Sequence, residues 1–519
     1  MTVPTTSPPP RYPPTPASSA SSSMPLSLSS AATTTATATP IPHRLRFGAS
    51  FFCFGLLNNV LYVVILSAAL DLVDKATTPK GLILIVNIAP ALAVKVGWPY
   101  FVPGQARYGR RILSCSAISF FGIIIVATSS TLFLRLFGIA IASFSSGLGE
   151  MTYLQLTTLY GSLRIPASID LRGFAVGWFS SGTGAAGLVG AGLWWVLRGL
   201  GVKVGLLICS FLPLCMALTF YFLLPRVETF ASAPFDAYTF VVDEDEDDSD
   251  QEHDVEGEGE EEEPQVGEAL IQPQAQRPAE EGEEITLTTR EKLALARPLF
   301  KRYMLPLFFV YLAEYIINSG IFPTLIYEVP SPSTLVLSSL IHSLRDYYPL
   351  WQLVYQFWVF VSRSSLSILH LPPLPIALLP LPTIFQLFLL TLTFLESSRG
   401  TISNTSLGEN GTIVVVFCLV SCEGLAGGSA YVNCFYRLGS EEETENKDGK
   451  GLGLGVEEGR AGDRFTSSER KRLESEFRIA SVGFADTLGI LMASLVATGL
   501  EPWLVRQQVA RGRTLCLNL

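Results

Sequence analysis

Eleven stretches of about 20 mainly apolar residues run through this 519-residue chain, and each can carry a helix across roughly 30 Å of hydrocarbon. They lie at about 47–70, 82–102, 112–132, 134–160, 173–197 and 203–224, then at about 303–327, 347–370, 374–396, 412–436 and 479–500. Lipid offers no partners for backbone N–H and C=O groups, so such stretches must be helices. Composition agrees: 49% hydrophobic and 16% charged residues carry more apolar surface than a soluble core of this size needs. The expected fold class is all-α, a polytopic membrane protein of about eleven transmembrane helices in two bundles of six and about five. The span at 347–370 is the weakest, because Arg363 interrupts it.

Four carboxylates lie inside these stretches: Glu150, Glu314, Glu423 and Asp486. Each costs roughly 2.5–3.5 kcal/mol at a helix centre on insertion scales. A chain that only had to reside in a membrane would not carry them. They read either as satisfied structural groups or as a polar pathway through the bundle, with Lys95 and Arg363 as cationic partners. Asn318 follows Glu314 by one helical turn and shares its face.

The eight cysteines show no disulfide framework and no zinc spacing, and the only histidines are His43, His253, His342 and His370. No metal or cofactor is implied, and no nucleophile or acid–base pair at enzyme spacing stands out. The net charge of −10 is misleading, since Asp243–Glu263 alone holds fifteen acids and the rest of the chain sums to +5. Nucleic-acid binding is therefore not indicated; the surroundings are membrane lipids.

The expected organisation is a disordered Pro/Ser/Thr/Ala tail (1–46), a first bundle (47–225), an acidic disordered cytosolic loop (226–302), a second bundle (303–500) and a C-terminal tail (501–519). Arginine-rich short loops at Arg44 and Arg46, at Arg107, Arg110 and Arg111, and at Arg164 and Arg172 place the N-terminus in the cytosol. Two N-glycosylation sequons, at Asn404 and Asn410, then fall in a luminal loop. One signal conflicts. Eleven spans put the C-terminus in the lumen, yet the chain ends Cys516-Leu517-Asn518-Leu519, a prenylation-like ending that would need a cytosolic tail.

The loop Gly104-Gln-Ala-Arg107-Tyr-Gly109-Arg110-Arg111 resembles part of the cytosolic signature of major facilitator transporters, with Ala106 in place of its acid. In the fifth span Gly173 and Gly177 form a G-x-x-x-G, and Gly184, Gly187 and Gly190 recur every three residues, a pattern for close helix packing. Ser180 and Ser181 among them are candidates to face a cavity.

Longer strings carry a family resemblance. Asn58-Asn59-Val-Leu-Tyr-Val-Val-Ile-Leu-Ser67, Leu171-Arg-Gly-Phe-Ala-Val-Gly-Trp-Phe-Ser-Ser-Gly-Thr-Gly184, Ala313-Glu314-Tyr-Ile-Ile-Asn318, Val361-Ser-Arg363-Ser-Ser-Leu and Glu423-Gly-Leu-Ala-Gly-Gly-Ser-Ala-Tyr431-Val-Asn433 resemble the battenin family. The resemblance implies a lysosomal or fungal vacuolar multi-pass protein related to the major facilitator fold. It also implies roles in vacuolar pH homeostasis, basic amino-acid transport and glycerophosphodiester export. The chain departs from that pattern in its long N-terminal tract, its acidic loop and a Pro/Ser-rich insertion near Pro330–Leu344. The family's acidic dileucine signal is only approximated by Glu268-Ala-Leu270-Ile271.

The resulting expectation is a transporter whose substrate and proton pathway uses Glu150, Glu314, Asn318, Glu423, Asp486, Lys95, Arg363, Asn58, Asn59, Ser180 and Ser181. Buried carboxyls would load protons from an acidic lumen and release them at cytosolic pH. The alternative is a non-transporting scaffold that recruits trafficking proteins through the acidic loop.

Overall fold

A computed structural model describes residues 41–72, 80–101, 107–161, 170–227, 229, 287–331, 334–447 and 461–518. The expected N-terminal tail up to residue 40, the acidic run Asp243–Glu263 and the Glu268–Ile271 string lie outside these residues. Among the described residues there is no strand, and every apolar stretch is helical. The chain is an all-α polytopic membrane protein.

The first half comprises α1 (Ile41–Leu72), α2 (Lys80–Phe101), α3 (Tyr108–Thr128), α4 (Leu132–Leu156), α5 (Leu171–Leu197) and a last span built from α6 (Val202–Cys209) and α7 (Leu212–Leu218). The second half begins with α8 (Thr289–Leu299), which runs through a π-helical turn into α9 (Leu305–Ile316). The short α10 (Leu335–Leu340) follows, then α11 (Tyr347–Arg363), α12 (Leu381–Arg399), α13 (Gly408–Lys447) and α14 (Ala461–Ala510). Nine helices among the described residues are long and apolar enough to cross a membrane. Two of the expected eleven spans are not among those nine. In α5 the crowd of glycines, serines and threonines dilutes the apolar signal, and α11 is only 17 residues long.

Two boundaries differ from the sequence expectation. The end of the segment expected to be a loop to residue 302 is helical, because Thr288 and Glu291 form a capping box that satisfies the first N–H groups of α8. The span expected over 347–370 stops as a helix at Arg363 and continues as turns.

Within the first half α1 packs on α5, and α4 packs on α2 and α3; within the second half α9 packs on α14, and α13 on α11 and α12. The halves meet along two seams, α2 with α14 and α5 with α11. Each seam joins the second span of one half to the fifth of the other, so the halves are equivalent across the interface.

Of the glycines expected to let another backbone approach, Gly184 and Gly190 do so, whereas Gly177 has only ordinary van der Waals contact with Ser367. A Cβ at Gly182 would lie 2.9 Å from Leu56 N, one at Gly55 would lie 2.8 Å from Thr183 N, and one at Gly184 would lie 2.9 Å from Phe360 Cα. α1, α5 and α11 thus touch backbone to backbone.

The polar contacts at the bundle ends order the chain. At one end Arg46 Nε donates to Leu223 O (2.8 Å), Lys292 Nζ to Pro99 O (2.7 Å), and Arg470 pairs with Glu291 (2.6 Å). At the other, Gln508 Nε2 donates to Thr324 O (3.0 Å) and Ser397 O (3.1 Å), Arg511 to Ser397 O (2.9 Å), and Arg513 to Ser403 Oγ (3.0 Å). Cys516 is half-buried there, its Sγ 2.9 Å from Gln508 Oε1, while Asn404 in the loop and Asn410 in the first turn of α13 are exposed. The C-terminal tail and the sequon loop therefore share one face. Glycan transfer and prenylation act on opposite sides of a membrane, so the two expected modifications, at Asn404 and at Cys516, exclude each other on this geometry.

Two outcomes follow from these contacts. In sealed vesicles, tags placed at Asn404 and after Leu519 are expected to show the same protease accessibility; opposite accessibility would refute the shared face. Gly182→Val is expected to lower stability by several kcal/mol by forcing α1 from α5. Gly192→Ala, where no atom lies within 4 Å, should be neutral or stabilising by about 0.5–1 kcal/mol in the same detergent melts.

Candidate functional site

The two seams enclose a cavity with about 880 Å³ of empty space, including the part open to solvent. Its charged wall is built from three helices. α2 carries Lys95, α4 carries Glu150 one turn beyond Gly147, and α14 carries Asp486 and Thr487. A Cβ at Gly147 would lie 2.6 Å from Ala91 Cα, so glycine there lets α4 close on α2 and brings Glu150 to Lys95.

Lys95 Nζ lies 2.8 Å from Glu150 Oε2 and 3.2 Å from Asp486 Oδ1, and donates to Thr487 Oγ1 at 2.7 Å. Only 4% of its side chain is exposed. Tyr431 Oη, from α13, donates to the other oxygen of Glu150 at 3.0 Å. Removing an ammonium from water is tolerated only when its charge and donors are answered. Here two carboxylates and a hydroxyl answer them.

Arg363 occupies the facing wall. Its Nη1 donates to Thr183 Oγ1 (2.6 Å), its Nη2 to Tyr311 Oη (2.8 Å), and its guanidinium lies 4.4 Å from the Tyr431 ring centroid. It forms no ion pair among the described residues, and its Nε has no hydrogen-bond partner there. The cavity thus holds one cation neutralised twice and one cation solvated only by hydroxyls and an aromatic face.

Glu314 and Glu423 form a second cluster behind Tyr355, which itself lines the cavity. Tyr355 Oη donates to Glu314 Oε1. Asn318 Nδ2 donates to Glu423 Oε1 (3.0 Å) and to the Glu314 carbonyl (3.0 Å), and Gln352 Nε2 donates to Asn318 Oδ1 (3.1 Å). Asn318 sits in a π-helical turn, Ile317–Ile321, that interrupts the end of α9. Such turns re-aim side chains and recur at functional positions.

Of the residues singled out from sequence, Lys95, Glu150, Asp486, Arg363 and Asn59 line the cavity. Glu314, Asn318 and Glu423 stand behind it. Asn58 does not line it: its Nδ2 donates to Ser146 O (3.1 Å), tying α1 to α4. Nor do Ser180 and Ser181, both fully buried between helices, where Ser181 hydrogen-bonds Ser367 at 2.5 Å. Ser181 faces the turn after α11, and the residues of α5 that reach the cavity are Thr183 and Gly187.

Sequence reasoning missed the tyrosines. Tyr62, Tyr311, Tyr315, Tyr355 and Tyr431 all line the cavity, together with Thr183 and Thr487. Their signal was available, since a tyrosine deep in an apolar span usually places its hydroxyl on a partner. A further buried acid was also missed. Glu476, on α14, accepts from Tyr108 Oη (2.6 Å) and pairs with Arg472 (3.2 Å) just outside the last expected span.

The CLN3 protein family matches residues 49–507, through both halves and every residue of the charged wall. This chain belongs to the CLN3 family. The battenin resemblance carried by the strings around Asn58, Gly177, Glu314, Arg363 and Tyr431 is thereby borne out. Among its relatives, Protein BTN1 of Cryptococcus neoformans var. neoformans serotype D (strain B-3501A) is 46% identical over 510 residues, covering 91% of this chain and 96% of that one. Protein BTN1 of Mycosarcoma maydis is 43% identical, covering 91% and 88%, and that of Yarrowia lipolytica is 36% identical, covering 90% and 97%. Among solved structures, the chain is similar to the human organic anion transporter MFSD10 (TETRAN), with a TM-score of 0.47 and 13% identity over 91% of this chain and 98% of that one. It is also similar to the Escherichia coli fucose:proton symporter FucP (TM-score 0.45, 12% identity, 92% and 99% covered).

For this CLN3-family chain, Lys95→Met is expected to destabilise by about 3–5 kcal/mol, because it leaves Glu150 and Asp486 buried without their cation. Adding Glu150→Gln and Asp486→Asn should restore most of the loss in detergent melts. Failure of the triple variant to recover would show that Lys95 acts by packing rather than charge.

Proposed function

We propose that this chain is a secondary transporter of the vacuolar membrane that moves a small solute bearing an anionic group, linked to protons. The observation that carries this reading is Arg363, a buried guanidinium facing the cavity with no carboxylate at ion-pair distance. Hydroxyls and a tyrosine ring solvate it, but they do not cancel its charge. A substrate carboxylate or phosphate would.

Both solute classes implied by the family fit this wall. A basic amino acid offers a carboxylate to Arg363 and a cation to the carboxylates around Lys95; a glycerophosphodiester offers its phosphate. Transport also requires that the site open to each side in turn. The two seams support this, because the cavity lies between the two halves and polar contacts across it join them. Lys95–Asp486 and Arg363–Thr183 each join one half to the other. A non-transporting scaffold would need none of these buried charges, so its cost would go unanswered. Transport of this kind would account for the family's link with vacuolar pH homeostasis.

The test is uptake by purified protein in liposomes, with labelled arginine and a labelled glycerophosphodiester offered to the same vesicles. One of them is expected to accumulate in wild type. Arg363→Gln should raise its KM roughly thirtyfold or more, since one partner of a buried charge-assisted contact is lost. Uptake of neither solute, or an Arg363→Gln variant with unchanged KM, would overturn the reading.

A further inference from the structure

Glu314 and Glu423 are each 1% exposed, on α9 and α13, and neither has a lysine, arginine or histidine at ion-pair distance among the described residues. Each uses one carboxyl oxygen and leaves the other without a partner. Glu314 Oε1 accepts from Tyr355 and Glu423 Oε1 from Asn318, while Glu314 Oε2 and Glu423 Oε2 accept from no described group. A buried carboxylate ordinarily gathers several donors. Two of them side by side, half-answered, cannot both hold a full negative charge at reasonable cost.

Among the described residues no cation makes an ion pair with either carboxyl. From α9 the facing groups are Tyr311 and Tyr315; from α11 they are Tyr355, Gln352 and Arg363. α13 contributes Glu423 and the bare backbone of Gly427, where a Cβ would sit 2.7 Å from Glu314 Cδ. α14 approaches α9 through Gly489, which carries no charge. The nearest cation, Arg363, is engaged by Thr183, Tyr311 and Tyr431 on the cavity side.

We propose that Glu314 and Glu423 hold one exchangeable proton between them, reached from the cavity through the Tyr355 hydroxyl, at a site separate from the charged wall that takes the substrate. The inference rests on the transport reading above and deepens it by naming the coupling site. A proton adds to a carboxylate oxygen of the pair, removing one of two buried charges, and returns to cavity water when the pair is vacated. Tyr355 is placed to relay it, because one hydroxyl both lines the cavity and touches Glu314. Asn318 and Gln352 fix the orientation of Glu423 and respond to which carboxyl is charged.

Two measurements test this. Infrared spectra of the purified protein across a pH titration are expected to show a protonated-carboxyl C=O band that is lost in Glu314→Gln or Glu423→Gln. A band unchanged in both variants would overturn the proposal, and this readout needs no substrate. In liposomes, one coupled proton turns each pH unit across the membrane into roughly tenfold accumulation. Glu314→Gln should exchange labelled arginine or glycerophosphodiester at equal pH like wild type, yet no longer accumulate it against a gradient. Unchanged accumulation in Glu314→Gln and Glu423→Gln would also overturn it, as would parallel loss of exchange and accumulation with the band intact. If wild type moves neither probe but the titrating band is present and lost in the variants, the transport reading fails while the proton site stands.

Discussion

The ammonium of Lys95, held by Glu150 on its own half and Asp486 on the other, is the interaction on which the rest of the site depends. An isolated charge at that depth is excluded by desolvation, so each of the three residues is tolerable only because the other two are present. Their meeting fixes the geometry of three helices. Gly147 must be small for α4 to reach α2, and α14 must lie along α2 for Asp486 to arrive from the second half. The charged contact therefore also sets the seam. Replacing such a group by apolar residues of the same shape often costs nothing or stabilises, so packing alone does not account for it.

Around that triad the cavity is lined largely by tyrosines, with Arg363 on the facing wall. A tyrosine buries a large ring against helices while its hydroxyl satisfies a carboxylate or guanidinium. Tyr431 shows the economy of this choice: its Oη donates to Glu150 while its ring face lies against Arg363. Tyr311 donates nothing to the triad but accepts from Arg363, and Tyr355 faces the cavity on one side and Glu314 on the other. Tyr431 thus stands between an acid of the first half and a base of the second, beside the direct contact of Lys95 with Asp486.

The spans, the two halves and the charged residues were legible in the sequence because membrane helices announce themselves by length and intramembrane charge by cost. α8 was passed over although Thr288 and Glu291 stand at capping-box spacing, since the surrounding acidic composition outweighed a four-residue signal. The tyrosines were absorbed into the apolar count and so were not recognised as cavity lining. Ser180 and Ser181 illustrate a different failure. A serine in a glycine-rich helix reads equally as cavity wall or close-packed spacer, and only the neighbour across the face decides; here the neighbours are α1 and the turn after α11.

The two seams are held by different means. Along α2 and α14 the cross-half contact is electrostatic, Lys95 with Asp486, and its strength changes with the protonation and ligation of the groups involved. Along α5 and α11 the contact is steric, Gly184 against the Phe360 backbone, with Arg363 reaching Thr183 beside it. Backbone contact of that kind is indifferent to charge, whereas an ion triad in low dielectric is acutely sensitive to it. A solute that alters the charge balance of the cavity therefore bears on Lys95–Asp486 and on Arg363–Thr183, and leaves the contact of Gly184 with the Phe360 backbone unchanged.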